Sequence, residues 1–326
     1  MTWRRILVAT DFSATARVAQ RSAETLARRA GASLVLAHVI EMPSSSYAFV
    51  SGVMAPEMRD EWMAQARRKL DAAADRSRAR GSRVAGVEVR VGKPWFELLE
   101  VARLHEADVV CLGNSGHSRF ARLLLGSTAE NVIRHSPVPV LVTRSRPLGR
   151  LERVLVPVDF DEGSRTALEV ALRTLPRGTA IEAFHAVAPI AVVQPGFPVE
   201  LPSEREVIRE LRAFLKSIGA GRVRSHAVVN EDPGKAILRR ARSWNADLIL
   251  ICTRGRSGLA HVLLGSVAER VARYADRPVL ILPPRPALAL ASPGRALTAV
   301  TQAVEREAGS SRGNGTARGA HPVASS

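Results

Sequence analysis

Cysteine is nearly absent: Cys111 and Cys252 are the only two among 326 residues. With no close-spaced Cys or His pairs beside them, they exclude a disulfide framework and a zinc site of paired ligands. Each ends an apolar run, which suits a small buried side chain in a reducing compartment. No uninterrupted apolar stretch approaches the roughly 18 residues of a membrane span, so the chain is expected to be cytoplasmic, with no membrane partner. Lysine stands only at 69, 93, 216 and 235, and arginine carries nearly all of a net charge of +16. The arginines are scattered along the chain rather than gathered in one block, which reads as compositional bias, and nucleic acid is not the expected partner. Two familiar phosphate motifs are missing as well. A Walker loop ending at Gly92 and Lys93 would need glycine at 87, where the chain has Val, and no G-x-G-x-x-G follows a strand.

What is present is a repeat. "RILVATDFSATARVAQ" (5–20) aligns with "RVLVPVDFDEGSRTAL" (153–168) at an offset of 148, Asp11 over Asp159. Further on, "ADVVCLG" aligns with "ADLILIC" at an offset of 139, which persists through Gly126 over Gly265 and Pro139 over Pro278. The second copy is therefore nine residues shorter between its first strand and its third helix. One duplicated domain explains this, and the expected division is 1–146, 151–284 and a tail, 285–326, too rich in Pro, Gly, Ser and Arg to fold alone.

Within each copy, apolar β-branched runs alternate with amphipathic stretches. In the first copy the strands are expected near 5–10, 33–39, 84–91, 108–113 and 138–143, with helices near 13–30, 55–80, 95–106 and 126–135. This order builds an α/β fold: two tandem doubly wound domains, each a five-stranded parallel sheet of order 3-2-1-4-5 flanked by helices. The fifth strands are apolar and lie at an edge in this topology, so the two copies are expected to pair there within one chain. Association into a homo-oligomer is left open.

The chemistry lies beyond the C-terminal strand ends. Asp11 ends the first strand and Gly113 the fourth, neighbours around the switch point where ligands sit. Gly113 and Gly116 would let the chain turn and bring main-chain N–H groups to an anion. Gly126, Ser127 and Thr128 open a helix whose dipole and free donors favour phosphate. Asp11 suits the ribose or base instead.

The spacing G-x2-G-x9-G-[ST], with "ILVATDFS" and "SPVPVLVTR", resembles the universal stress protein family in its tandem form. That resemblance implies an ATP site, with or without Mg²⁺, made by Asp11, the main chain of Val39, Gly113, Gly116, Gly126, Ser127 and Thr128. It also implies a role in stress response or signalling without efficient turnover. The second copy offers Asp159, Val187, Gly255, Gly265 and Ser266, but Cys252 replaces the first glycine. If that position needs a positive φ, a cysteine there is strained by about 1 kcal/mol or more, so the second site is expected to be impaired. Arg254 and Arg256 add charge nearby, and Lys93 and Lys235 follow the third strands. His38, His117 and His185 read as structural, and no nucleophile elbow is present. The alternatives are a nucleotide-free scaffold, a weak ATPase and an Arg-rich nucleic-acid binder.

Overall fold

The computed structural model describes residues 3–41, 56–115, 125–188, 201–253 and 264–283. Gly116, His117, Arg254, Gly255, Arg256 and the tail, singled out in the sequence, lie outside these residues.

The first copy runs β1 (Arg5–Ala9), α1 (Ala14–Ala30), β2 (Ser33–Ile40), α2 (Pro56–Ala79), β3 (Arg83–Val91), α3 (Pro94–Leu104), β4 (Val109–Gly113), α4 (Ser127–His135) and β5 (Val140–Thr143). The second repeats it as β6 (Arg153–Pro157), α5 (Glu162–Thr174), β7 (Ala180–Val187), α6 (Glu204–Ser217), β8 (Arg224–Val229), α7 (Pro233–Ser243), β9 (Leu248–Cys252), α8 (Ser266–Tyr274) and β10 (Val279–Leu282). Local chemistry sets several ends. Ser13 caps α1 by accepting from the Ala16 N–H, and Gly31 closes that helix at φ 66°, the left-handed position that costs glycine least. A capping box of Ser203 and Glu206 starts α6.

All ten strands join one sheet in the order β3-β2-β1-β4-β5-β10-β9-β6-β7-β8. Each copy is parallel within itself, and the halves meet through the antiparallel pair β5–β10, with Val142 opposite Val279 and Leu141 opposite Leu280. The apolar fifth strands, which would be open edges in isolated copies, thus lie at the centre of the sheet. Strands apolar on both faces need cover on both. One layer is formed by α3, α4, α7 and α8, whose Val101, Val132, Ile237 and Val271 join Val140, Val142, Val279 and Ile281 in one cluster. The other is formed by α1, α2, α5 and α6, whose Leu26, Leu70, Leu168 and Leu211 join Leu141, Leu280 and Leu282. Both apolar layers run across the boundary between the copies. Among the described residues no helix is long and apolar enough to cross a membrane.

Candidate functional site

At the C-terminal end of β1 the chain makes a strained turn in both copies. Phe12 and Phe160 hold φ at 66° and 65°, a conformation costing a bulky side chain on the order of 1–3 kcal/mol. The surroundings enforce it. The Phe12 N–H donates to Thr10 Oγ1 at 3.0 Å and the Ser13 N–H to Asp11 Oδ1 at 3.0 Å. The Phe12 ring lies 4.5 Å from the His38 ring. Since a carbonyl can only accept, His38 Nδ1 donates to Thr10 O at 2.8 Å. His185 does the same to Val158 O at 2.6 Å, 4.6 Å from Phe160. The paired histidines therefore brace the turns that carry Asp11 and Asp159.

The Val39 main chain is aimed by strand alternation. Ala37 O accepts from the Thr10 N–H, whereas Ile40 O accepts from the Gly92 N–H. Main-chain groups of successive residues point to opposite sides of a strand, so those of Val39 point toward β1, just past its end, into the cleft. In the second copy Phe184 O accepts from the Val158 N–H, and Val187 O accepts from the Glu231 N–H. Val187 therefore faces β8, and Ala186 holds the place of Val39. The sequence pairing of Val39 with Val187 is corrected by one residue, because the second copy has already lost one residue between its first two strands.

Across the cleft, the loop after β4 is pinned at its base: the Gly126 N–H donates to Asn114 O at 2.8 Å and the Asn114 N–H to Thr143 O at 2.8 Å. Gly265 donates to Thr253 O in the same way at 2.9 Å. Asn114 and Gly126 thus lie side by side, and the amides of both are already used. The donors left for an anion are those of the first turn of α4. Its N-cap, Gly126, makes no side-chain cap, and neither does Gly265 on α8, whereas Ser13, Asp161, Ser203 and Asp232 cap their own helices. First-turn amides without a cap, at the positive end of a helix, are a fitting environment for phosphate.

Gly113 has a different reason from the expected one. It is an ordinary strand residue without positive φ, so the sharp turn foreseen there is not made. A Cβ on it would lie 2.7 Å from Thr15 Oγ1 and 2.9 Å from the Thr15 carbonyl carbon. Cys252 is also an unstrained strand residue, paired with Leu282 and buried, which removes the expected backbone strain. Where the first copy has Thr15, the second has Gly163.

What distinguishes the second cleft is charge. Its turn reads "DFDEGS" where the first reads "DFSATA". Ser164 Oγ donates to Asp159 Oδ1 at 2.6 Å, and the Ser164 N–H donates to Asp161 Oδ1 at 2.6 Å. Burial, then the hydrogen bond with Asp159, raises the Asp161 carboxyl to about 6.

Residues not foreseen in the sequence lie beside Asp11. A cavity of about 360 Å³ opens between the ends of β1 and β2 and helix α2, lined by Asp11, Phe12, His38, Trp62, Gln65 and Lys69 among others. Lys69 Nζ stands 5.9 Å from the Phe12 ring centre. The i, i+3, i+7 spacing of Trp62, Gln65 and Lys69 marks one helix face, a signal that only the position of α2 turns toward the cleft. Lys93 lies beyond the outer strand β3, with Nζ 5.2 Å from the Trp95 ring centre, and the Lys235 N–H is used by Asp232. Cys111 is fully buried and its thiol pKa is pushed up by burial, so it is inert. Among the described residues no cluster of three or more His, Cys, Asp or Glu forms a metal site.

The sequence profile of the universal stress protein family matches residues 2–144 and again 150–283. A universal stress protein of Mycobacterium tuberculosis is 31% identical over 203 residues, 60% of this chain and 67% of the relative. Another from the same organism is 29% identical over 54% of this chain and 61% of the relative, so these matches span about two thirds of the relatives' length or slightly less. Among solved structures, a universal stress protein from Archaeoglobus fulgidus superposes with a TM-score of 0.64 at 24% identity, covering 86% of this chain and 96% of that one. A putative universal stress protein from Pseudomonas aeruginosa gives a TM-score of 0.56 at 17% identity, covering 93% and 98%. These two likenesses concern the fold.

Proposed function

The chain belongs to the universal stress protein family, in tandem form, and from that premise we propose that it binds ATP in the cleft of its first copy and acts in stress response or signalling as an occupancy-dependent binding protein. The observation that supports this reading is the pinned loop base, Asn114 O to the Gly126 N–H, which holds the uncapped first turn of α4 beside the end of β4. Ser127 and Thr128, with the α4 amides, would hold phosphates. Asp11 and the Val39 main chain would hold the nucleoside, with the aromatic cavity opening beside them.

Efficient turnover needs an acid or metal at the phosphates. Asp11 stands instead at the nucleoside end and is tied to the Ser13 N–H, so the proposed role is binding with slow hydrolysis or none. Mg²⁺ would enter with the nucleotide rather than through a protein cage. The second cleft is the weaker one, because Asp161 adds negative charge beside Asp159 at neutral pH.

Titration calorimetry with ATP tests this. Binding is expected near one nucleotide per chain. Ser127→Asp should abolish it while leaving the fold intact, because an acid at a helix N-terminus stabilises the helix yet repels phosphate. No heat and no retained nucleotide in native mass spectrometry would replace this reading with that of a nucleotide-free scaffold.

A further inference from the structure

A few of the chain's many arginines share one helix face. Helix α6 buries Val207, Leu211 and Leu215 and exposes Arg205, Arg209, Arg212 and Lys216. The steps of four, three and four residues place these cations in one row along one flank. Glu206 and Glu210 fall on the opposite flank. The row runs over 11 residue steps, from Arg205 to Lys216, about 16 Å at helical rise.

The row lies against the outer strand of the sheet, β8. Arg212 Nε donates to Ser225 Oγ at 3.2 Å, fixing the helix flank to the strand. Between them opens a groove of about 470 Å³ lined by Arg212, Leu215, Lys216, Gly221, Arg224 and Ser225. Exposed Arg222 continues the basic edge in the turn before β8.

Among the described residues, none of these six cations takes part in a salt bridge. On α2, the matching helix of the first copy, Arg67 pairs with Asp71 and Arg78 with Asp75. Like charges at i, i+4 destabilise a helix; Glu206 offsets Arg209 in part, and an anionic partner would relieve the rest of the repulsion.

We propose that the α6–β8 face binds the phosphodiester backbone of duplex nucleic acid without reading its sequence. A straight row of cations about 16 Å long faces on the order of four or five phosphates at one per 3.4 Å of strand. The row contains no aromatic side chain on which unpaired bases would stack, which disfavours single strands. The apolar face of α6 is spent on the core, so the helix has none to insert into a lipid surface. The groove lies at the end of the sheet where β8 begins, opposite the strand ends that carry the clefts, so the inference is independent of ATP.

The test is fluorescence anisotropy of the full chain with a labelled random-sequence DNA duplex across a salt series. Neutralising four phosphates predicts a log–log slope of about −3.6, a fall of roughly 150-fold between 50 and 200 mM salt. Arg209→Ala with Arg212→Ala should lower the slope by about 2. Arg68→Ala with Arg76→Ala, which removes equal charge from α2, should leave it unchanged. Circular dichroism melts of both variants establish that the fold is kept. The proposal is overturned by absence of binding at 50 mM salt, by equal weakening in the two variants, by polyglutamate competing as well as DNA, or by preference for phosphatidylserine vesicles.

Discussion

Thr15 and Gly113 touch so closely that a Cβ on the glycine would stand 2.7 Å from the threonine hydroxyl oxygen. The first turn of α1 therefore rests on the last residue of β4, and Thr15 Oγ1 donates onward to Ser115 O. In the second copy the small and large residues have exchanged sides, Gly163 on the helix and Cys252 on the strand. The glycine that looked like a phosphate-loop signature is half of a packing pair.

Gly113→Cys alone should destabilise the protein by about 1–3 kcal/mol through overpacking. Adding Thr15→Gly should recover a substantial part of that loss. Urea denaturation of both single variants and the double gives the coupling energy; strict additivity would contradict the contact.

Asp11→Ala should weaken ATP binding about 10- to 100-fold, the scale of hydrogen bonds to a charged group, without lowering thermal stability in proportion. Calorimetry beside a thermal melt separates the two effects. Unchanged affinity would remove Asp11 from the nucleoside site.

Asp161→Ser restores the residue found at position 13 and removes a carboxylate from the second cleft. Nucleotide stoichiometry should rise from near one toward two. If it stays at one, the second cleft is closed by something other than Asp161.

The raised Asp161 carboxyl also ties stability to pH. With a folded value of about 6 against about 4 in the unfolded chain, the folded state binds the extra proton. Its stabilising contribution is complete below pH 4 and is lost as pH rises through 6. The wild-type melting temperature should therefore fall relative to that of Asp161→Asn between pH 5 and 7.5. Carboxyl NMR of Asp161 should titrate near 6, and Asp159→Asn should lower that value.

Leu280→Ala removes a side chain buried at the β5–β10 seam and should cost about 2–5 kcal/mol. Because both apolar layers cross the seam, urea unfolding should stay one transition in the wild type and broaden or split in the variant.

The sequence by itself determined the two copies, the strand order within each and the meeting of their apolar edges. Strands buried on both faces must be apolar throughout, and duplication leaves matching residues at matching intervals. The strand end at Asp11 and the helix start at Ser127 and Thr128 were legible too, since strand ends and helix starts carry local signals. Only the tertiary structure decided what local signals do not encode. It set Val187 toward β8 and Ala186 toward the cleft, because a slip of one residue reverses the side to which a strand's groups point. It tied Gly113 to Thr15, nearly a hundred residues away, and it carried the cation row of α6 to the edge strand β8. Contacts between remote segments depend on where the sheet carries each helix, and no short stretch of sequence holds that information.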